Sequence, residues 1–246
     1  MLYPGAAGCR HAFGRANAML TSRMHTAAVV AKFFGFAFSA LLPLINPFGS
    51  ALVLLGLVGN EPVPVYRELA RKIAVNTVFF LLLVELVGTA LLAFFGISLP
   101  VVQVSGGLVL ASMGWGLLNK PDARDASKTE AAQSGSGSLA QQTFYPLTFP
   151  VTAGPGCIVV MLTLSAHAST RNVFTDAFAH LGIFLALVAL SILVFVCYAN
   201  APRITRRISP QTAHGILRVI AFVLLSIGVQ ITWNGMESLL KSLLKT

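Results

Sequence analysis

Residues 43–49 read Pro43-Leu44-Ile45-Asn46-Pro47-Phe48-Gly49, and residues 150–156 read Pro150-Val151-Thr152-Ala153-Gly154-Pro155-Gly156. With Pro43 laid on Pro150, the opening proline and the closing glycine coincide, and each motif lies inside an apolar stretch long enough to cross a bilayer. Proline lacks an amide hydrogen and collides with the carbonyl four residues earlier, so a helix is interrupted at both places. Backbone groups freed in hydrocarbon cannot face lipid; they turn to protein or to a hydrated cavity. Two interrupted spans at matching positions of two halves are the pattern with which inverted-repeat transporters build a substrate site near the membrane midplane. The plainer reading is that the prolines only kink the helices and the glycines only let neighbours approach.

Working outward, six apolar spans fall at about 30–59, 73–95, 97–118, 142–168, 177–200 and 214–236. Of the 246 residues 56% are hydrophobic and 10% charged, against about 25% charged in soluble domains. This composition excludes a soluble domain. The net charge of +9 would point to nucleic acid in a soluble protein, but here the basic residues fall between the spans and set topology instead. Cys9, Cys157 and Cys197 form no CxxC and read as small apolar fillers.

Residues 119–141 are polar and carry Ser134-Gly135-Ser136-Gly137-Ser138, the composition of a linker. They separate a first three-helix repeat, 29–118, from a second, 142–246. Three is odd, so the second half enters the membrane from the opposite side and any repeat is inverted. The expected fold is therefore an all-α polytopic membrane protein whose first and fourth helices are broken. Phe80, Leu81 and Val84 align on Phe184, Leu185 and Val188, with Asn76 on His180, and Ser112-Met113-Gly114 aligns on Ser226-Ile227-Gly228. Ten Lys and Arg border the connections after spans one, three and five; Arg171 alone lies in the opposite ones. Both termini are thus expected on the periplasmic side. Residues 1–28, basic and without an acid, are expected to be an unstructured extension, or a mis-called start with the true one at Met24.

The chemistry available is that of small polar groups. A half-helix beginning near Gly49 presents amide hydrogens and the positive dipole end, which suit a carboxylate. Asn46 can donate and accept, and Thr148 and Thr152 add hydroxyls at the second break. Facing each other, the two breaks would hold a small zwitterion. Glu85 is the one acid inside an expected span, and an intramembrane carboxylate marks a proton or ion pathway by default; the alternative is a protonated side chain in an interhelical hydrogen bond. Asn76, His180, Gln103, Ser105 and Gln230 read as structural, and Trp115, Trp233 and Tyr145 as interfacial anchors. Ser105-Gly106-Gly107 with Gly114 and Gly116 reads as a packing face that leaves self-association into a homo-oligomer open. The chain carries no HExxH, GxSxG or Walker loop, so neither an enzyme nor a metal or other cofactor is expected.

The NPFG break, the PLTFPVTAGPG stretch from Pro146 to Gly156, the FFGIS segment from Phe94 to Ser98 and the SGG of span three resemble the MarC family of bacterial inner-membrane proteins, over about residues 29–240. The resemblance implies six spans in two inverted repeats and a plasma-membrane location. It also implies transport of small neutral amino acids such as alanine and glycine, coupled to a proton or sodium gradient. Asn46, Pro47 and Gly49 match the family's first break, and Thr152, Gly154, Pro155 and Gly156 its second. The expectation is a secondary transporter with substrate-binding residues Asn46, Pro47, Gly49, Thr152, Gly154 and Gly156 and with Glu85 in ion coupling. The rivals are a non-transporting scaffold or partner subunit, favoured by a dry packed contact between the breaks, and a drug or metabolite efflux protein.

Overall fold

In the computed structural model, residues 6–59, 61–119, 143–169, 173–203 and 210–244 are described. Helices α1 (Ala6–Ile45) and α2 (Pro47–Val58) are followed by α3 (Val63–Phe94) and α4 (Leu99–Asn119). The second half holds α5 (Phe144–Thr152), α6 (Pro155–Ala168), α7 (Val173–Ala199) and α8 (Pro210–Leu243). The described residues are all helix and connections, without a strand. The expected linker, 119–141, lies outside them apart from Asn119.

Five helical stretches are long and apolar enough to cross a membrane: Met24–Leu55, Val63–Phe94, Leu99–Asn119, Val173–Ala199 and Gly215–Leu243. Phe144–Thr152 and Pro155–Ala168, bent by 63° against each other, make a sixth if counted as one span. Exposed Phe79, Leu83, Leu86, Phe94, Val101, Phe222 and Val229 give these helices the apolar outer surface that lipid requires. Helix α3 starts ten residues before the apolar stretch does. Its first turns are polar and hold a Glu68 to Lys72 pair at 2.7 Å, one turn apart, which extends a helix without adding hydropathy. Helix α1 likewise runs back to Ala6, through most of the extension expected to be unstructured. That segment has several alanines and no proline after Pro4, so nothing in it stops a helix.

Every extensive contact but one joins a helix of the first half to a helix of the second: α4 with α8, α1 and α3 with α7, α3 and α4 with α6. The exception is α6 with α7. The core draws on both halves accordingly, with Leu41, Ile45, Leu54, Ile73 and Leu81 packed among Leu147, Met161, Ile183, Leu187 and Leu190.

Helices α4 and α8 run antiparallel at backbone contact. A Cβ on Gly228 would lie 2.4 Å from Ala111 N and 2.7 Å from Gly107 O; one on Gly114 would lie 2.5 Å from Leu225 N and 2.9 Å from Ala221 O. Moving each α4 position forward by the offset that aligns Gly114 with Gly228 turns the first set of partners into the second. The contact maps onto itself when the two helices are exchanged.

Candidate functional site

The helix stops after Ile45 because Asn46 takes up a left-handed conformation, φ 43° and ψ 66°, which asparagine tolerates better than most residues. Its Oδ1 accepts a hydrogen bond from Gly49 N at 3.1 Å, and Pro47 occupies the first turn of α2, where no amide hydrogen is needed. Gly49 has a specific reason to lack a side chain: a Cβ there would lie 2.1 Å from Asn46 Nδ2. Asn46, Pro47 and Gly49 thus form one capping unit.

At the second interruption Tyr145 and Phe149 are extended, as residues before proline prefer, and the Tyr145 to Pro146 and Phe149 to Pro150 bonds are cis. The turns of α5 are wide. Thr148 Oγ1 donates to Thr143 O at 2.8 Å, Thr152 Oγ1 to Leu147 O at 2.7 Å, and Ala153 N to Thr148 O at 2.8 Å. Helix α6 then begins at Pro155, after Gly154, without a side-chain cap.

The two interruptions meet. Ser50 Oγ donates to Ile45 O at 2.9 Å within the first and reaches Val151 O of the second at 3.4 Å. Tyr198 OH lies 2.7 Å from Thr152 Oγ1 and also interacts with the Ser50 side chain. Ser50, Thr152 and Tyr198 are buried. The contact is packed and its polar atoms satisfy one another. Pro150 and Phe48 lie on the exposed side, and Asn46 and Gly154 are partly exposed.

The expected site residues therefore divide. Thr152 lies in the contact; Asn46, Pro47 and Gly49 form the cap that directly precedes Ser50, and Gly154 directly precedes α6. Gly156 instead faces α4, where a Cβ would lie 2.1 Å from Leu110 Cδ2, so its smallness serves packing. Ser50 and Tyr198 were invisible as site residues in the sequence. Ser50 directly follows the NPFG motif, which was the available signal; Tyr198 is the penultimate residue of α7 and looks like any tyrosine at a span end.

Glu85 lies elsewhere. It is 1% exposed, and its Oε1 lies 2.9 Å from Nδ1 of His180, which is 29% exposed. Ser165 Oγ of α6 donates to the Glu85 carbonyl at 2.7 Å, tying α3 to α6 at the same level. His180, expected to be structural, is thus the partner of the one buried acid among the described residues. The pairing was not legible because alignment of the halves sets His180 against Asn76, while packing sets it against Glu85. His180 and Tyr198 stand 18 residues apart on α7, about 27 Å at 1.5 Å per residue, so the pair and the interruptions occupy opposite ends of that helix. Between these two levels lie Thr77 of α3 and Ser191 of α7, buried hydroxyls with no hydrogen-bond partner. Gln103 donates to Thr163 Oγ1 at 3.3 Å and Gln230 to Asn234 Oδ1 at 2.8 Å, both structural arrangements. Among the described residues no cluster of His, Cys, Asp or Glu could hold a metal ion.

Residues 31–240 match the family model described as MarC family integral membrane protein. The chain belongs to the MarC family. Curated relatives named inner membrane protein MarC are 26% identical over 214 residues in Salmonella typhimurium (strain LT2) and 27% identical over 218 residues in Escherichia coli (strain SMS-3-5), each match covering 86% of this chain and 97% of the relative. No solved structure matches the chain. The NPFG and AGPG motifs both fall inside the matched region, as do Glu85 and His180. With the relatives' naming and the apolar helices described above, this MarC family member is a multi-pass protein of the inner membrane.

Proposed function

We propose that the chain is a secondary transporter of small neutral amino acids, or of a similarly small zwitterion, built as two inverted three-helix repeats around the two interrupted spans. The observation that carries this reading is the meeting of the two interruptions through Ser50, Thr152 and Tyr198. Side chains from both halves satisfy the polar groups that the breaks release, so a relative movement of the halves would uncover those groups together. The self-mapping contact of α4 with α8 supports the inverted repeat, and so does the exchange of α1 on α7 for α3 on α6.

In the conformation described, Asn46 Oδ1 stands where a substrate carboxylate would accept from the α2 amide. Substrate binding then exchanges one acceptor for another, and Asn46 is freed to bind the ligand through its own amide. Thr152 and Gly154 contribute from the facing side, and Pro47 and Gly49 hold the first break in shape. The carbonyls of Ile45, Leu147, Thr148 and Val151 are already engaged by the chain's own donors, which weighs against a sodium site built from them. A proton bound between Glu85 and His180 is the better-supported coupling ion, since burial favours the neutral pair or the closed ion pair over separated charges.

The test is uptake of labelled alanine, glycine and serine into proteoliposomes under an imposed proton or sodium gradient. Uptake driven by a proton gradient is expected, abolished in Asn46→Ala and uncoupled from the gradient in Glu85→Gln. Absence of uptake from folded, inserted protein would remove the transport reading. A second reading, a non-transporting scaffold, is favoured by one observation: the contact between the interruptions is closed and fully hydrogen-bonded. Accessibility of a cysteine placed at Ser50 separates the two, because only a transporter opens this contact when substrate is added.

A further inference from the structure

A cleft of about 540 Å³ opens between the start of α3 and the end of α7, one helical turn along α7 from Tyr198 but lined by none of Ser50, Thr152, Tyr198 or Glu85. Its lining is Val63, Pro64, Arg67, Glu68, Arg71 and Phe195. Arg67 and Arg71 are one helical turn apart and therefore on one face of α3. Glu68 is held by Lys72 at 2.7 Å, so its charge is matched by a cation outside the lining. Among the described residues neither arginine forms an ion pair. Two guanidinium groups without an ion pair thus stand over a wall of Val63, Pro64 and Phe195, and Glu68, already held by Lys72, adds a weaker attraction to Arg71 alone.

We propose that this cleft binds the headgroup of an anionic phospholipid, with Arg67 and Arg71 on the phosphate and the apolar wall against the glycerol and upper acyl chain. The depth of the cleft selects a lipid over a soluble anion. From Ile73 to the end of α3 the sequence is apolar except for Asn76, Thr77, Glu85 and Thr89, so hydrocarbon begins near Ile73. Arg71 and Arg67 lie about 3 and 9 Å outside that point at 1.5 Å per residue. The polar layer of a bilayer leaflet extends about 5–8 Å beyond the hydrocarbon, so both side chains reach the phosphate level. A guanidinium meets a phosphate through paired N–H donors in a fixed plane, a geometry that ammonium lacks. Two such groups on one face, beside an apolar wall, match a diester phosphate carrying an acyl chain.

The experiment uses the full chain in neutral detergent, with native mass spectrometry of retained lipid and thermal unfolding on addition of phosphatidylglycerol or phosphatidylcholine. Phosphatidylglycerol is expected to bind and raise the unfolding temperature, and phosphatidylcholine to do neither. Affinity should fall on the order of fivefold for each of Arg67→Gln and Arg71→Gln. Arg203→Gln, which removes an exposed charge bonded to Asn200 near the end of α7, should change it little. Should either Gln variant fail to fold, Arg71→Lys keeps the charge and loses the fork, and is expected to weaken binding as well. Equal losses in Arg203→Gln, or none in the Arg67 and Arg71 variants, would reduce the effect to unspecific charge and overturn the site. An equal, arginine-dependent stabilisation by inorganic phosphate would overturn the assignment to lipid.

Discussion

Position 46 needs a residue that accepts a positive φ, offers an acceptor to the third amide of the next helix, and is followed by a residue that needs no amide hydrogen. Asparagine before proline meets all three conditions, and Gly49 clears the space into which the asparagine folds. Gly49→Ala should therefore act through Asn46. The added methyl displaces the cap, and stability in detergent should fall by about 1–2 kcal/mol, the cost of losing an N-cap. Asn46→Asp retains an acceptor and should fall by less than Asn46→Ala. If Gly49→Ala and Asn46→Ala were additive in the double variant, the two residues would not share one interaction. The NPFG unit was legible because its parts are adjacent in sequence. The pair of Glu85 and His180 was not, because the partners come from different halves.

At the scale of elements, α4 and α8 meet at glycines, and the contact predicts a graded set of variants. Gly114→Ala and Gly228→Ala each bring a methyl within 2.5 Å of a backbone atom, so the helices must separate. Each should cost about 1–3 kcal/mol, the usual penalty of overpacking. Gly116 has open space where its side chain would be, so Gly116→Ala should be neutral or stabilise by up to about 1 kcal/mol through helix propensity. Thermal unfolding of the three purified variants checks the order. Similar losses for Gly114→Ala and Gly228→Ala are the signature of an exchange-symmetric contact; a loss at one alone would break that equivalence. The sequence marked these glycines as a packing face. It could not name the partner helix, because small residues permit close approach without specifying to what.

At the scale of the whole molecule, the two halves interlock and share one core. A chain divided within the polar stretch 119–141 should yield two fragments that are unstable alone and recover when coexpressed, as read by protease resistance in membranes. Independent stability of either fragment would contradict a shared core. If α5 and α6 cross together as one span, as proposed, the helix order puts Ser98 and Ser169 on one side of the membrane, and Glu61 and Asn119 on the other. In a background with Cys9 replaced, cysteines at these four positions should label from opposite sides in that pairing. Cys157 and Cys197 are buried and should stay silent. Labelling of Ser98→Cys and Glu61→Cys from the same side would mean that α3 does not cross.

The sequence by itself determined the membrane class, the rough extent of the apolar stretches, and the two places where proline and glycine interrupt regular α-helix. Hydropathy and proline chemistry are local, so each is readable from a short window. Only the tertiary structure decided which polar groups meet. Ser50, Tyr198 and Thr152 come together, and Glu85 finds His180 rather than the breaks, because packing of helices from opposite halves brings together residues that no periodicity or alignment of the halves connects. It also decided that Asn46 caps α2 and that Gly156 packs against Leu110, two roles set by neighbouring atoms within a few ångströms rather than by residue type.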